Sequence, residues 1–461
     1  MIQPIRAEVQ VHDELARRYQ HIRQRTLALA APLGEADCQV QSMPDASPVK
    51  WHLAHVTWFF ETFVLEAHEP RFKPFDPAFR VLFNSYYHGV GDQHPRAQRG
   101  LITRPGLAQV LAYRAAVDQR MAALLAQPHN KDWADRVELG LQHEQQHQEL
   151  ILTDLLHLLS CNPLAPVYLP RWPLATVAPV ALQWLPQGGG LIELGHAGKG
   201  FAFDNEGPRH LHWLQPHALA NRLVTHGEWL AFMAGGGYSS PRWWTSAGWD
   251  WVQAQGIRAP MYWRRSGQSD GAGGGEGGGE GAAHARAHAS SDWHSFTLHG
   301  LVPVDASTPI THISWFEADA YTRWWSAQHP DQTPVRLPTE AEWEHAAESL
   351  LAQAGSAGAG GNFVESGALH PMPVANAQTG LVQLLGDVWE WTSSNYGPYP
   401  GFQAWDGAVG EYNGKFMVNQ MVLRGGSCAT PRDHIRSSYR NFFPTDTRWQ
   451  FNGLRLARDG A

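Results

Sequence analysis

The first third of the chain places apolar residues three and four positions apart, with few glycines between them. Segments 8–31, 106–126 and 133–160 follow this spacing, which puts their apolar side chains on one face of a helix. The pattern predicts a helical domain over residues 1–160.

A proline-rich stretch ends the helical pattern. Residues 159–179 contain five prolines, and we predict a linker over 161–180. Beyond it, short apolar runs alternate with Gly, Pro, Asn and Asp turns, which predicts a second domain over 181–461 with short strands. Within that domain we expect helices at 314–328 and 339–348.

Composition and charge narrow the class of protein. The 461 residues suffice for two or three domains, and the net charge of −8 argues against a nucleic-acid partner. No apolar run reaches the roughly 18 residues of a membrane span, which argues against a membrane protein. Three widely separated cysteines favour a cytoplasmic protein over a secreted disulfide framework. The Gly-rich residues 266–292 predict a disordered surface insertion.

The clearest chemical signal is a pair of histidines in a predicted helix. His143 and His147 stand four residues apart, so both lie on one face, as two ligands of one metal ion require. Gln146 projects from nearly the same face. Two solvated histidines are the alternative, but the apolar run 150–159 that follows predicts a buried helix.

The same stretch also contains the HExxH pattern of zinc hydrolases. In that interpretation Glu144 would be the general base. The longer form of the motif needs Gly at position 150 and His at 153, where this chain has Leu150 and Thr153. The zinc hydrolase is therefore the more distant hypothesis.

A third metal ligand is available upstream. His52 and His55 lie in another predicted helix, and a helical bundle can bring either of them opposite the first pair. Spacing alone does not choose between them. Three neutral imidazoles would leave coordination positions open on Zn(II) or Fe(II), and ligand type does not separate these metals.

At these residues the chain resembles a known family. Segments 47–63, 83–100 and 139–157 are similar to the DinB-like domain of the EgtB-type sulfoxide synthases of ergothioneine biosynthesis, whose homologues include selenoneine synthases. The second half resembles their formylglycine-generating-enzyme-like domain. The motifs that carry this second resemblance are Asn205–Arg209, Val224–Thr225, Arg336–Glu344, Gly386–Trp391 and Leu423–Ser427.

The resemblance implies an α+β protein of two domains. The first would be a DinB-like four-helix bundle, and the second a C-type-lectin-like domain. It also implies one non-haem Fe(II) held by His55, His143 and His147, which selects His55 over His52. Gln146 would bind the imidazole of hercynine, the substrate of the family.

Further site residues follow from the same resemblance. Asn441, Phe442 and Phe443 match the segment that holds the trimethylammonium and carboxylate end of hercynine, and aromatic faces suit a quaternary ammonium. In the branch of the family that uses γ-glutamylcysteine, an Asp stands where this chain has Phe443. That difference favours free cysteine as the sulfur donor. Arg96 and Arg99, three residues apart, are suited to clamping a carboxylate of the donor.

The resemblance also points to tyrosines near the metal. Tyr86 and Tyr87 match the branch with a first-domain tyrosine pair, and we predict Tyr87 as the more direct participant. The implied reaction joins the cysteine sulfur to C2 of hercynine with O2. The first alternative is a selenoneine synthase that takes a selenosugar. The more distant alternative is a DinB-type zinc hydrolase or thiol transferase.

Overall fold

The computed structural model divides the chain into two compact units. The first comprises Met1–Cys161 and Ala404–Gly414, and the second comprises Asn162–Gln403 and Lys415–Ala461. The residues that the structure describes are 3–128, 130–170, 177, 180–198, 200–265, 292–354, 360–374 and 380–460, with side chains from residue 14 onward except at 354. The predicted insertion 266–292 lies outside the described residues except for its last position, residue 292. Part of the predicted linker 161–180 lies outside them as well.

Four long helices are described in the first unit, and three of them correspond to the segments 8–31, 106–126 and 133–160 that the apolar spacing predicts. They are α1 (Gln3–Ala30), α3 (Val49–Phe60), α6 (Leu107–Leu125) and α7 (Lys131–Ser160). Three short helices lie between them: α2 (Glu35–Gln39), α4 (Glu66–His68) and α5 (Phe79–Leu82). Helix α3 packs against α6 and α7, and α1 packs against α7.

A glycine allows the two central helices to approach closely. Gly140 lies on α7, and a Cβ atom there would stand 2.6 Å from the ring of Phe60 on α3. Because any side chain at this position would push the helices apart, Gly140 keeps α7 within reach of the polar side chains on α3.

The second unit combines short helices with small sheets. Its helices are α8 (His226–Ala234), α9 (Ser246–Gln255), α10 (Trp315–Gln328) and α11 (Glu340–Ala354). Its strands are β1 (Trp184–Gln187), β2 (Gly190–Leu194), β3 (His210–Leu214), β4 (His217–Leu223), β5 (Trp263–Arg265), β6 (Trp293–Thr297), β7 (Gly300–Pro303), β8 (Val335–Arg336), β9 (Trp389–Asn395), β10 (Met421–Arg424), β11 (Asn441–Phe443), β12 (Asn452–Gly453) and β13 (Arg455–Asp459). The predicted helices at 314–328 and 339–348 correspond to α10 and α11.

The strands of the second unit pair mostly antiparallel. One four-stranded sheet has the order β1-β4-β13-β8 and the other has the order β11-β10-β9-β12, in which β12 runs parallel to β9. Strands β2 and β3 form a two-stranded antiparallel sheet, and β5, β6 and β7 form a three-stranded sheet. Together with the helical first unit, this architecture confirms the predicted α+β class. Among the described helices, none has the length and apolarity needed to cross a bilayer.

Several buried histidines lie in the second unit, among them His226, His312 and His370. Burial, together with the charges of neighbouring histidines, lowers the pKa of His226 and His312 to about 3 and that of His370 to about 4. In the unfolded chain a histidine has a pKa of about 6.5. The unfolded state therefore binds more protons than the folded state between these values, so the folded state loses stability as the pH falls below about 6.5.

We expect His312→Phe to weaken this pH dependence. Each buried histidine should cost about 2 kcal/mol of unfolding free energy between pH 7 and pH 5, and the variant removes one such contribution. Denaturant unfolding of wild type and variant at pH 5 and pH 7 measures the difference. An identical pH dependence in both proteins would contradict the neutral, buried state of His312.

Candidate metal centre

Two helices of the first unit bring three histidines together. His55 lies on α3, and His143 and His147 lie one turn apart on α7. One ring nitrogen from each histidine lies within 4.8 Å of the other two. His55 Nε2 and His143 Nε2 are 3.3 Å apart. These three side chains, which we call the histidine trio, are the set expected from the resemblance.

Burial keeps the histidine trio neutral. The relative exposures are 0% for His55, 3% for His143 and 8% for His147. Burial lowers the pKa of His143 to about 3 and holds the pKa values of His55 and His147 well below the usual range. A neutral imidazole has a lone pair on one nitrogen, which is the form that binds a metal ion.

Hydrogen bonds orient two of the three rings. His55 Nδ1 lies 2.6 Å from the carbonyl oxygen of Phe83 and donates to it, so the lone pair of His55 is on Nε2, which faces His143. His147 Nδ1 lies 2.8 Å from His52 Nδ1. Three neutral imidazoles that converge with lone pairs available fit a divalent transition metal, and this donor set suits either zinc or iron.

His52 lies behind the histidine trio rather than in it. Its Nδ1 contacts His147, and its Nε2 lies 3.1 Å from Asp154 Oδ2. The sequence pattern left His52 and His55 as equal candidates because both lie on the inner side of α3. The structure places His55 with the α7 pair and gives His52 a different partner.

Aromatic rings fix the plane of His55. Trp51 stacks on it with ring centroids 4.5 Å apart and an interplanar angle of 12°, and Trp58 stacks at 5.5 Å and 17°. These two tryptophans lie one helical turn before and after His55 on α3. Rigid packing of this kind holds the His55 nitrogen in position without a further polar partner.

Glu144, the general base of the zinc-hydrolase hypothesis, points away from the histidine trio. Its carboxylate is completely buried and accepts hydrogen bonds from Thr26, Arg23 and Arg114. Burial opposes ionisation, but Arg114 and Arg23 outweigh it and hold the pKa of Glu144 at about 2. A carboxylate paired in this way is not available as a general base, so the structure gives no support to the more distant zinc-hydrolase alternative.

The predicted tyrosine pair lies beside the histidine trio. Tyr87 is buried and its ring packs 5.7 Å from that of Trp58, which itself stacks on His55. Tyr86 is half-buried, with its ring 4.8 Å from that of Tyr87, and the two phenols share a hydrogen bond. Burial raises the pKa of both tyrosines, so both carry their protons at neutral pH.

A third tyrosine near the trio escaped prediction. Tyr412 belongs to segment 404–414, which packs within the first unit although it follows in sequence more than 240 residues after α7. Its ring lies 5.5 Å from that of Tyr86 and 6.4 Å from that of His143. Glu411 anchors the segment because its carboxylate accepts the backbone N–H groups of His88 and Gly89 at 3.0 and 2.7 Å. No local pattern marks Tyr412, since only the tertiary contact brings it here.

The two predicted arginines differ in environment. Arg99 is 5% exposed, stacks 3.4 Å over the ring of Trp51 and donates to Ser47 Oγ. Burial lowers the pKa of Arg99 to about 9, and no carboxylate forms an ion pair with it within the described ranges. Arg96 is exposed and donates to the carbonyl oxygen of Asp45. The charge of Asp154 acts on Arg99 without a contact ion pair, and a buried guanidinium in this state suits an anionic ligand.

The remaining predicted residues lie in both units. Gln146 is half-buried on α7, immediately before His147. In the second unit, Asn441, Phe442 and Phe443 form β11 at the edge of its sheet and are half-buried. Phe442 stacks on Tyr396 with ring centroids 4.0 Å apart. The chain thus presents an aromatic surface at the predicted segment, and the ligand role of these residues stays a prediction.

Comparison with known proteins identifies both units. Residues 18–158 match the DinB superfamily, and residues 185–460 match the sulfatase-modifying factor enzyme 1-like domain. The chain is 32% identical to the hercynine oxygenase of Mycolicibacterium thermoresistibile over 97% of this chain and 95% of that protein. It is 30% identical to the hercynine oxygenase of Mycobacterium tuberculosis over 97% of this chain and 99% of that protein.

A further match covers about half of the chain. The chain is 31% identical to the formylglycine-generating enzyme of Streptomyces coelicolor over 52% of this chain and 76% of that enzyme. The fold and the histidine trio therefore define a two-domain protein that joins a DinB domain to a sulfatase-modifying-factor domain. The chain belongs to the hercynine oxygenase family, as the resemblance predicts.

We expect Glu144→Gln to destabilise the protein rather than to impair a reaction step directly. The substitution leaves Arg23 and Arg114 buried without their charged partner, which typically costs about 3–5 kcal/mol. Glu138→Gln on the same helix is the matched control, because Glu138 pairs with the partly exposed Arg18 and its loss should cost at most about 1 kcal/mol. Denaturant unfolding measures both. A Glu144→Gln protein of wild-type stability that lacks activity would instead identify Glu144 as a reacting group.

Proposed function

We propose that this protein is an iron(II)-dependent oxygenase that joins the sulfur of cysteine to C2 of the hercynine imidazole with O2. The product is hercynylcysteine sulfoxide, an intermediate of ergothioneine biosynthesis. The substrates are small molecules, and a cytoplasmic location stays a prediction from the cysteine pattern. The single observation that carries the proposal is the convergence of three neutral imidazoles in a chain that matches hercynine oxygenases over 97% of its length.

The reaction balances with one O2 per product. The S–H bond of cysteine and the C2–H bond of hercynine break, and the C–S bond forms. One oxygen atom goes to sulfur and the other leaves as water with the two hydrogens. Iron(II) held by His55, His143 and His147 would acidify the donor thiol and bring it together with oxygen.

The side chains of the protein would position the two organic substrates. Gln146, next to His147 on α7, would hydrogen-bond the hercynine ring. Asn441 and Phe442 would hold the charged end of hercynine, the aromatic ring facing the trimethylammonium group. Arg99 would bind the donor carboxylate, because it is a buried cation that forms no ion pair within the described residues. Arg96, which is exposed and lies three residues before Arg99, would add a second positive charge.

The tyrosines would supply a proton or a hydrogen atom to the reacting groups. Tyr87 is the proposed direct donor because it is buried and stays protonated, and Tyr86 would support it through their shared hydrogen bond. A phenol at this position can deliver a proton or a hydrogen atom and thereby favour C–S bond formation over simple oxidation of the thiol. Tyr412 adds a third phenol whose ring lies closer to that of Tyr86 than to that of His143.

The comparisons do not favour the selenium alternative. The relatives that match most of the chain are named hercynine oxygenases. Cysteine remains the proposed donor because Phe443 stands where the γ-glutamylcysteine branch has an aspartate.

The proposal predicts an O2-dependent adduct of hercynine. Protein reconstituted with Fe(II) should convert hercynine and cysteine to the sulfoxide in air and form none without O2, as read by mass spectrometry. His55→Ala should lose at least about 100-fold in kcat/KM, because a missing metal ligand removes the centre. His21→Ala, an exposed histidine on α1, is the control and should retain wild-type activity.

Other outcomes of the same assay distinguish the alternatives. If only selenium from a selenosugar were transferred, the donor would be the selenosugar and not cysteine. Preference for γ-glutamylcysteine would contradict the inference from Phe443. The absence of any O2-dependent hercynine adduct with every donor would overturn the proposal.

A further inference from the structure

A histidine and a carboxylate lie directly behind one member of the histidine trio. His52 on α3 and Asp154 on α7 are 2% and 6% exposed. His52 joins them to the trio, with Nδ1 2.8 Å from His147 Nδ1 and Nε2 3.1 Å from Asp154 Oδ2. Asp154 follows His147 by seven residues, which is two helical turns, so both lie on the same face of α7.

The hydrogen bonds determine which nitrogens carry protons. Asp154 Oδ2 also accepts the backbone N–H of Ser47 at 2.8 Å, so it acts as an acceptor and His52 Nε2 must donate to it. One proton lies between His52 Nδ1 and His147 Nδ1, which are 2.8 Å apart, and a His52 ring whose single N–H group points from Nε2 to Asp154 has none to give. His52 Nδ1 is then the unprotonated nitrogen and accepts the Nδ1–H of His147. This leaves the lone pair of His147 on Nε2.

Each member of the trio is held differently. The backbone carbonyl of Phe83 and two tryptophans orient His55. His143 Nδ1 has no hydrogen-bond partner among the described residues. Only His147 is held through a chain of side-chain hydrogen bonds that ends in a carboxylate. We call this chain, which runs from His147 through His52 to Asp154, the relay. A carboxylate at the end of such a relay orients a ligating histidine and makes its free nitrogen a stronger donor.

We propose that His52 and Asp154 are positioning residues that hold His147 in its metal-binding tautomer and orientation. The proposal rests on the proposed function only in requiring that the histidine trio binds a metal. His52 does not bind the metal itself. The relay also secures the segment before α3, since Asp154 accepts the N–H of Ser47, and thereby links the metal helix α7 to the start of the helix that carries His55.

Two substitutions at His52 separate the relay from general packing. His52→Phe keeps an aromatic ring but leaves the Nδ1–H of His147 without an acceptor. In His52→Asn the amide oxygen can occupy the position of Nδ1 and accept from His147, although the contact with Asp154 is lost. His157→Phe is the matched control, because His157 lies on α7 and bonds to Ser42 rather than to the trio.

Metal affinity is the decisive measurement. Fe(II) binding is measured without O2 against a competing chelator, and the d–d absorption of the Co(II)-loaded protein reports the coordination geometry. We expect His52→Phe to weaken metal binding about 10- to 100-fold and to change the Co(II) spectrum. His52→Asn should recover much of the loss, and His157→Phe should match wild type in both measurements even if its melting temperature falls.

The outcomes separate the two proposals. Wild-type metal affinity and an unchanged Co(II) spectrum in His52→Phe would overturn the relay while leaving the metal centre intact. Equal losses in His52→Phe and His157→Phe would also overturn it, because they would reflect a general weakening of α7. A wild-type protein that binds neither Fe(II) nor Co(II) would overturn the metal centre of the proposed function and the relay with it.

Discussion

The first unit depends on one buried carboxylate that cannot be left unpaired. Glu144 lies in the middle of α7, and its charge is stable there only because Arg23 from α1 and Arg114 from α6 surround it. An isolated charge in this environment would be strongly destabilising. The ion cluster therefore fixes the rotation of α7 about its own axis. Since His143 and His147 lie on the adjacent face of the same helix, that rotation also turns them toward α3.

Burial opposes charge on both faces of α7, but one face keeps a charged group and the other keeps neutral rings. On one face the arginines compensate the cost of burying Glu144, and the charge persists. On the other face burial outweighs the attraction of Glu144 for a charged His143, and burial, the neighbouring histidines and Arg99 all oppose a charge on His147, so both rings are neutral. The same dry interior therefore produces a charged cluster that holds the helices together and an uncharged trio suited to a cation.

Local patterns predicted the features that depend on local spacing. The pair His143 and His147, the long helices and the change to short strands after the prolines all follow from periodicity over one or two turns. The choice between His52 and His55 did not, because three residues separate them and both face inward. The resemblance made that choice, and the geometry of α3 supplies its reason. Asp154 could have been noticed in the sequence because it is an acidic residue within an apolar run. No feature of the sequence around Tyr412 indicates its position near the histidine trio.

The position of segment 404–414 has a consequence for synthesis on the ribosome. Segment 404–414, the last part of the first unit, is synthesised about 250 residues after α7. At roughly 5–20 residues per second, this delay lasts roughly 10–50 seconds. During that time the helical bundle is present, but Glu411 has not yet bound the backbone of His88 and Gly89. The surroundings of the histidine trio are therefore completed late, when most of the second unit has also emerged.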